Sequence, residues 1–146
     1  MHTIRKATSD GYETIMSIWA SSVKATHHFL SEVDFAFFRK AIPAEYLPQL
    51  DVYVLEDNHI AKGFMAVANN NLEMLFVDAA AIGKGYGKTL LNYALQELHV
   101  THVDVNEQNE QALAFYKLMG FQVIGRSEKD GTGKPYPILH LQHNSK

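Results

Sequence analysis

The sequence contains no cysteine, and this absence excludes several classes of protein. Without thiols there can be no disulfide scaffold, no thiolate nucleophile and no cysteine-ligated metal. Positive charge is not in surplus either, since 13 Lys and Arg face 16 Asp and Glu for a formal net charge of -3. This balance gives no general attraction to nucleic acid or to an anionic membrane, so we expect neither as a partner.

Long apolar runs are also missing. No stretch approaches the roughly 20 residues of a membrane helix, and residues 1–6 lack the apolar core of a signal peptide, so we expect a cytoplasmic protein. The 146 residues are 47% hydrophobic, which is enough to bury one good core. Because the chain has no repeat, linker or low-complexity tract, we expect a single domain over residues 1–146.

Apolar periodicity predicts two helices in the N-terminal part of the chain. The first begins near Asp10, and the second carries Val33 and Phe37 on its apolar face and ends at Pro43. Pro43 and Pro48 then predict a loop.

The middle of the chain changes from a period of two to a helical period. Residues 51–56, 60–67 and 72–77 are rich in β-forming residues and are separated by short polar turns, which predicts an antiparallel meander. A helix from Gly85 and a strand at 102–105 follow. This order of strand, helix and strand predicts one parallel pair.

The C-terminal part predicts one more helix and a hairpin. Asn109 is a typical N-cap, and Gly120 stands where a left-handed C-cap is expected. Residues 121–127 and 136–141 then form a hairpin around a Gly-rich turn. We therefore expect an α/β fold with a mixed, mostly antiparallel sheet.

A glycine-rich loop lies between the third predicted strand and the helix from Gly85. Residues 82–88 read Ile-Gly-Lys-Gly-Tyr-Gly-Lys. Backbone N–H groups and the positive end of the helix dipole converge there, and glycines allow close approach, which favours a phosphate site. A P-loop would need Gly where Ile82 stands. Asp104 lies at the sequence distance from the loop that a Rossmann fingerprint requires, but the antiparallel strands upstream do not fit that fold. A tight turn without a ligand is the remaining alternative.

The loop, the strand before it and residues 106–121 (NEQNEQALAFYKLMGF) together resemble the GNAT superfamily of acetyltransferases. Residues 26–31 and 133–137 are similar to one bacterial subgroup of that superfamily. The resemblance implies a central sheet flanked by helices, with a parallel strand pair splayed at the acetyl-CoA site. It also implies transfer of the acetyl group from acetyl-CoA to a primary amine by direct attack in a ternary complex. The alternative is a non-catalytic module that binds or senses acyl-CoA, and the protein could be a monomer or a homodimer.

The resemblance assigns acetyl-CoA contacts to the strand before the loop, to the loop and to the next helix. Ile82 stands where the family consensus has Gln or Arg, so we expect weaker binding. Tyr116 matches the tyrosine near the thiolate sulfur, where a neutral phenol can donate a hydrogen bond, although it could instead be an ordinary core residue. The implied contacts are Leu75, Phe76, Val77, Ile82, Gly83, Lys84, Gly85, Tyr86, Gly87, Lys88, Asn106, Asn109, Ala112 and Tyr116.

The attacking amine needs a proton acceptor. Many family members carry a Glu where Asn71 stands, so Glu73, on the same strand face, is the expected substitute, and His27 is the other candidate base. No metal is expected, because the distant histidines 140 and 143 give His27 no partner at metal-ligand spacing. The expected substrate contacts are His27, His28, Phe29, Asn71 and Tyr136.

Overall fold

The structure is a computed structural model that describes residues 2–144. Within that range it has seven strands and four α-helices. Among the described residues, no helix has both the length and the apolarity to cross a bilayer. In chain order the elements are β1 (His2–Lys6), α1 (Tyr12–Thr26), α2 (Glu32–Ala41), β2 (Asp51–Asp57), β3 (Ile60–Ala68), β4 (Asn71–Val77), α3 (Tyr86–Gln96), β5 (His102–Asn106), α4 (Glu110–Leu118), β6 (Phe121–Ser127) and β7 (Ile138–His143).

The strands form one mixed sheet in the order β1-β2-β3-β4-β5-β7-β6. Every neighbouring pair is antiparallel except β4 and β5. One face packs on α3 and α4 around Leu90, Leu91 and Leu141, and the other packs on α1 around Ile15 and Phe64. The predicted fold, with its mostly antiparallel sheet and one parallel pair, is confirmed.

The parallel pair separates almost as soon as it forms. Only Asn71 with His102 and Leu72 with Val103 are paired across β4 and β5. The cause is a β-bulge, because Val67 of β3 faces Leu72 while the adjacent Ala66 faces Met74, which leaves Glu73 as the extra residue. A bulge bends its strand away from its neighbour. Beyond Glu73, β4 therefore has an open edge on the β5 side, and a cleft enters the sheet there.

Several N-terminal predictions were wrong. Strand β1 was not predicted, because only Ile4 of its five residues is partly buried and no alternation stands out. Asp10 does not cap α1, since it lies in a short helical turn and Gly11 occupies the cap position without a side-chain hydrogen bond. Val33 and Phe37 do not face the core, because they are 78% and 40% exposed.

The loop predicted between the two prolines is also wrong. Helical turns occupy Ile42–Tyr46 and Leu47–Gln49, and each has its proline in the first two positions. The turns continue directly from α2, because Ala41, Ile42 and Tyr46 all have right-handed helical backbone angles. The fixed φ of proline is compatible with such angles, so the prolines do not break the chain into a loop.

Candidate active site

Three cavities open along the cleft between β4 and β5. The loop cavity, of about 390 Å³, lies between β4, the glycine loop and α4. The aromatic cavity, of about 410 Å³, lies between α1, α2 and residues 130–138. The polar cavity, of about 490 Å³, lies between the separated strands and shares lining residues with each of the other two cavities. His27 and Phe76 line all three, so the cavities meet at these two side chains.

The glycine loop forms an open cradle at one end of the loop cavity. Gly83 and Gly85 have φ of +88° and +85°, a conformation that favours glycine. A Cβ added at either position would meet no atom within 4 Å, so the backbone there borders open space. Gly85 is the N-cap of α3 and provides no capping side chain. The first N–H groups of α3 are thus left for a ligand to satisfy.

Most of the expected cofactor contacts lie on the loop cavity, but two do not. Lys84 is exposed outside it, and Asn106 lines the aromatic and polar cavities instead. Tyr86 lines it, but its hydroxyl donates to Asp57 at 2.6 Å, so its backbone N–H is the group left for a ligand. The expected residues that line this cavity are Leu75, Phe76, Val77, Ile82, Gly83, Gly85, Tyr86, Gly87, Lys88, Asn109, Ala112 and Tyr116.

The sequence reasoning missed part of the same wall. Ser22 and Thr26 come from α1 and Ala81 from the turn before the glycine loop, while Gln111 and Phe115 come from α4. The α1 residues reach the cavity only because α1 packs across β4, which is a tertiary contact that no local pattern reveals. Phe115 and Gln111 lie inside the segment that carried the family resemblance, and that position was the one available signal.

Tyr116 combines a core ring with a hydroxyl that reaches the cavities. The residue is 5% exposed, and its ring contacts those of Phe115 and Phe121. The hydroxyl has no hydrogen-bond partner among residues 2–144. Every fully buried side-chain polar atom in that range does have a partner, so the Tyr116 oxygen is not fully buried and borders the cavities. Burial raises the pKa of the phenol well above its usual value. Tyr116 is therefore a neutral donor at physiological pH.

His27 ends α1 in a defined orientation. The Thr26 hydroxyl donates its one hydrogen to the Ser22 carbonyl at 2.8 Å, so in its 2.7 Å contact with His27 the ring Nδ1–H is the donor. Nε2 is left as an acceptor. Burial, and secondarily the neighbouring His28, lowers the pKa of His27 to about 4. The imidazole is therefore neutral at pH 7 and a much weaker base than an unperturbed histidine.

Glu73 lies where the bulge turns its side chain toward the aromatic and polar cavities. The Asn71 amide donates to Oε2 of Glu73 and, at 3.3 Å, to Asp104, so one amide bridges two carboxylates. Oε1 of Glu73 has no hydrogen-bond partner in the described chain. The residue as a whole is exposed, but protein atoms crowd its carboxyl end, and this desolvation, with the charge of Asp104, raises the pKa of Glu73.

The aromatic cavity takes its walls from three separate parts of the chain. Trp19, Phe29, Phe76 and Tyr136 line it, and the ring centres of Phe29 and Tyr136 are 6.1 Å apart. No Lys or Arg lines it within residues 2–144, whereas Glu73 and Asp130 do. A largely apolar cavity with two carboxylates and no cationic side chain suits an amine carried on an apolar stem.

The hairpin between β6 and β7 is fastened to α2 beside this cavity. The Tyr136 hydroxyl donates to Asp34, and Lys134 forms a 2.9 Å ion pair with the same carboxylate. The Lys134 ammonium also lies 4.5 Å from the centre of the Phe37 ring. The ring of Tyr136, predicted as a substrate contact, lines the aromatic cavity, while its hydroxyl is occupied.

Two other expected substrate contacts lie elsewhere. His28 is exposed and lines none of the three cavities, and Asn71 acts on Glu73 through the hydrogen bond described above. Phe29 and His27 line the aromatic cavity, and their contact with substrate stays a prediction.

Comparison with known proteins identifies the family. Residues 18–134 match the description "Acetyltransferase (GNAT) domain". A curated relative from Salmonella typhimurium, peptidyl-lysine N-acetyltransferase YjaB, is 41% identical over 142 residues, covering 97% of each chain. The chain belongs to the GNAT acetyltransferase family. As a GNAT enzyme it is an acetyl-CoA-dependent N-acetyltransferase.

Solved structures agree with this assignment. The solution structure of apo YjaB from Escherichia coli superposes on this GNAT chain with a TM-score of 0.91 at 37% identity, covering 100% of this chain and 99% of the other. The PaiA N-acetyltransferase of Thermoplasma acidophilum, crystallised with coenzyme A, has a TM-score of 0.77 at 21% identity, covering 98% and 99%. At that identity the second match shows the fold alone.

Proposed function

We propose that this enzyme acetylates lysine side chains of proteins or peptides, with Glu73 as the general base and Tyr116 as the hydrogen-bond donor to the leaving thiolate. The observation that carries the proposal is that a carboxylate oxygen of Glu73 and the hydroxyl of Tyr116, neither of which has a hydrogen-bond partner among residues 2–144, border the same polar cavity. A base for the amine and a hydrogen-bond donor for the leaving group are the two functions that direct transfer uses.

The aromatic cavity supports lysine as the acceptor. Its apolar walls suit the butyl stem of lysine, and Glu73 and Asp130 supply the acidic groups on its lining, with Oδ1 of Asp130 already accepting from Thr132 and Lys134. The relatives in Salmonella typhimurium and Escherichia coli are both named peptidyl-lysine N-acetyltransferases. The cysteine-free sequence fits a reducing compartment, and we place the reaction in the cytoplasm.

The loop cavity fits acetyl-CoA. The open backbone at Gly83 and Gly85 and the free N–H groups of α3 suit the pyrophosphate, and Lys88 adds positive charge at that end. The open edge of β4 beyond Glu73 offers backbone donors and acceptors to the pantetheine amides. The bound cofactor supplies an activated acetyl thioester.

Side chains of the protein then remove a proton from the lysine ammonium and position the reacting groups. Glu73 accepts a proton from the lysine ammonium, which exposes the nitrogen lone pair. The apolar walls exclude water and hold the amine in a fixed position along the cleft. The neutral Tyr116 hydroxyl donates to the departing sulfur, and the His27 Nε2 acceptor can orient the amine N–H where the three cavities meet.

The acceptor is tested with two matched peptides. One carries a lysine and a blocked N-terminus, and the other has a free N-terminus with the lysine replaced by arginine. We expect acetylation of the first peptide only, located on the lysine Nε by tandem mass spectrometry. Acetylation of the second peptide alone would show an N-terminal acetyltransferase, and transfer only to free small amines would exclude a peptide acceptor.

A further inference from the structure

A cluster outside the proposed transfer chemistry lies on the face of the sheet that α3 and α4 do not cover. Asp104 on β5 and His140 on β7 are direct partners in the strand register. Ser127 on β6 pairs with Ile138, two residues from His140, and so points to the same face. His140 Nδ1 lies 2.7 Å from Asp104 Oδ1, and His140 Nε2 lies 2.7 Å from Ser127 Oγ.

The chemistry of the partners sets the direction of both hydrogen bonds when His140 is neutral. A carboxylate accepts, so Nδ1–H of His140 donates to Asp104. In the neutral ring Nε2 is then an acceptor, and the Ser127 hydroxyl donates to it. The second oxygen of Asp104 accepts from the Asn71 amide at 3.3 Å, which holds the carboxylate in place. This is the order of donors and acceptors in a Ser-His-Asp nucleophile, which is recognised by geometry and not by sequence position.

The cluster is open to small molecules. Ser127, His140 and Asp104 all line the polar cavity, and the side chains of His140 and Asp104 are 38% and 33% exposed. Lys129 and Asn106 border the same cavity, and the side-chain nitrogen of Asn106 has no hydrogen-bond partner in the described chain. These are donors that a developing oxyanion would require.

The geometry points to a second, amine-independent activity, in which Ser127 is the nucleophile of an acyl hydrolase that takes small activated esters and thioesters. Ser127 Oγ attacks the acyl carbonyl while His140 Nε2 takes the hydroxyl proton. The bond to the leaving oxygen or sulfur breaks, the leaving group receives that proton, and acyl-Ser127 remains. Water then attacks, passes a proton to His140, and the Ser127–acyl bond breaks with return of the proton to Oγ. The net reaction is ester plus water to acid plus alcohol or thiol.

The simplest test needs no coenzyme A and therefore does not depend on the proposed function. The protein is treated with a fluorophosphonate probe, which labels activated serines, and is assayed for hydrolysis of p-nitrophenyl acetate. We expect the label on Ser127 and its loss in Ser127→Ala. His140→Gln should label about 100-fold more slowly, the lower bound for loss of a general base. Ser17→Ala is the matched control, because Ser17 is exposed on α1 and its hydroxyl bonds only the Glu13 carbonyl within the part of the chain that the structure describes.

Three results would overturn the inference: no label on the wild-type protein, labelling that persists in Ser127→Ala, or equal rates in His140→Gln. Asp104→Asn is the second variant if His140→Gln does not fold, and it should also slow labelling. Lysine acetylation by the wild type separates the two ideas. If the wild type acetylates a lysine peptide but none of its serines is labelled, only the hydrolase fails, whereas labelling of Ser127 without any acetylation would leave the hydrolase and remove the proposed function.

Discussion

Replacing Glu73 with glutamine removes the proposed base with little change in shape. The glutamine carbonyl can still accept from the Asn71 amide, so the contact that holds the side chain persists. What is lost is a carboxylate whose free oxygen borders the polar cavity. The substitution therefore separates proton transfer from packing.

The expected loss in kcat/KM is about 100- to 10,000-fold, the range of a positioned general base. At 1.36 kcal/mol per decade, this corresponds to about 2.7–5.4 kcal/mol of transition-state stabilisation. Stability should move the other way. The pKa of Glu73 is higher in the folded protein than in the unfolded chain. Above the pKa of the unfolded carboxyl, the charge of Glu73 therefore destabilises the fold. Glu73→Gln should for this reason melt no lower than wild type at pH 7.

The assay is acetylation of a lysine peptide across pH, with thermal melting followed in parallel. In wild type we expect a limb of kcat/KM that rises with pH through the raised pKa of Glu73, above its ordinary value of 4.5. Glu73→Gln should lose this limb, and Glu97→Gln, an exposed glutamate at the end of α3, should keep it. Unchanged activity in Glu73→Gln, or a pH-dependent limb that persists in it, would refute the role of Glu73 as base.

Four further substitutions test other parts of the account. Ile82→Arg should tighten acetyl-CoA binding several-fold in calorimetry, and less so in high salt, because it adds a cation to the loop cavity. Gly85→Val should weaken that binding at least tenfold, since it strains φ of +85° and fills the cradle. In wild type only the unfolded chain protonates His27 between pH 6.5 and pH 4, so the free energy of unfolding should fall by up to about 3 kcal/mol across this range. His27→Gln should remove this fall, as measured by urea unfolding. Gly120→Ala should cost about 1–2 kcal/mol in the same assay, because φ is +97° and His143 lies 3.1 Å from the added carbon, without loss of activity per folded molecule.

Local chemistry was enough to predict the elements around the cofactor loop. Asn109 caps α4 through a 3.2 Å bond from the Ala112 N–H, and Gly120 has the left-handed conformation expected of a C-cap, because both depend on groups within a few residues. The antiparallel strands and the one parallel pair follow in the same way from alternation and from the crossover helix.

The features that make the site could not be predicted in the same way. The bulge at Glu73 is a one-residue shift in the pairing register with β3, and no residue type in the sequence predicts it. The low pKa of His27 depends on burial beside Phe76, which only the packing of α1 across β4 produces. The bond of Asn71 to Glu73 depends on the same bulge, so the sequence offered both residues without showing how they act together.

The most direct test of the central claim is release of free coenzyme A thiol from acetyl-CoA with a lysine peptide, in wild type and Tyr116→Phe, with acetyl-CoA binding measured on both. The Tyr116 hydroxyl has no hydrogen-bond partner among residues 2–144, so its removal leaves none of their groups unpaired and the fold and binding should persist. The account predicts peptide-dependent release in wild type and about 100-fold slower release in Tyr116→Phe. Tight binding without release for any amine would contradict catalysis and indicate an acyl-CoA sensor, and equal rates in the two proteins would remove Tyr116 from the chemistry.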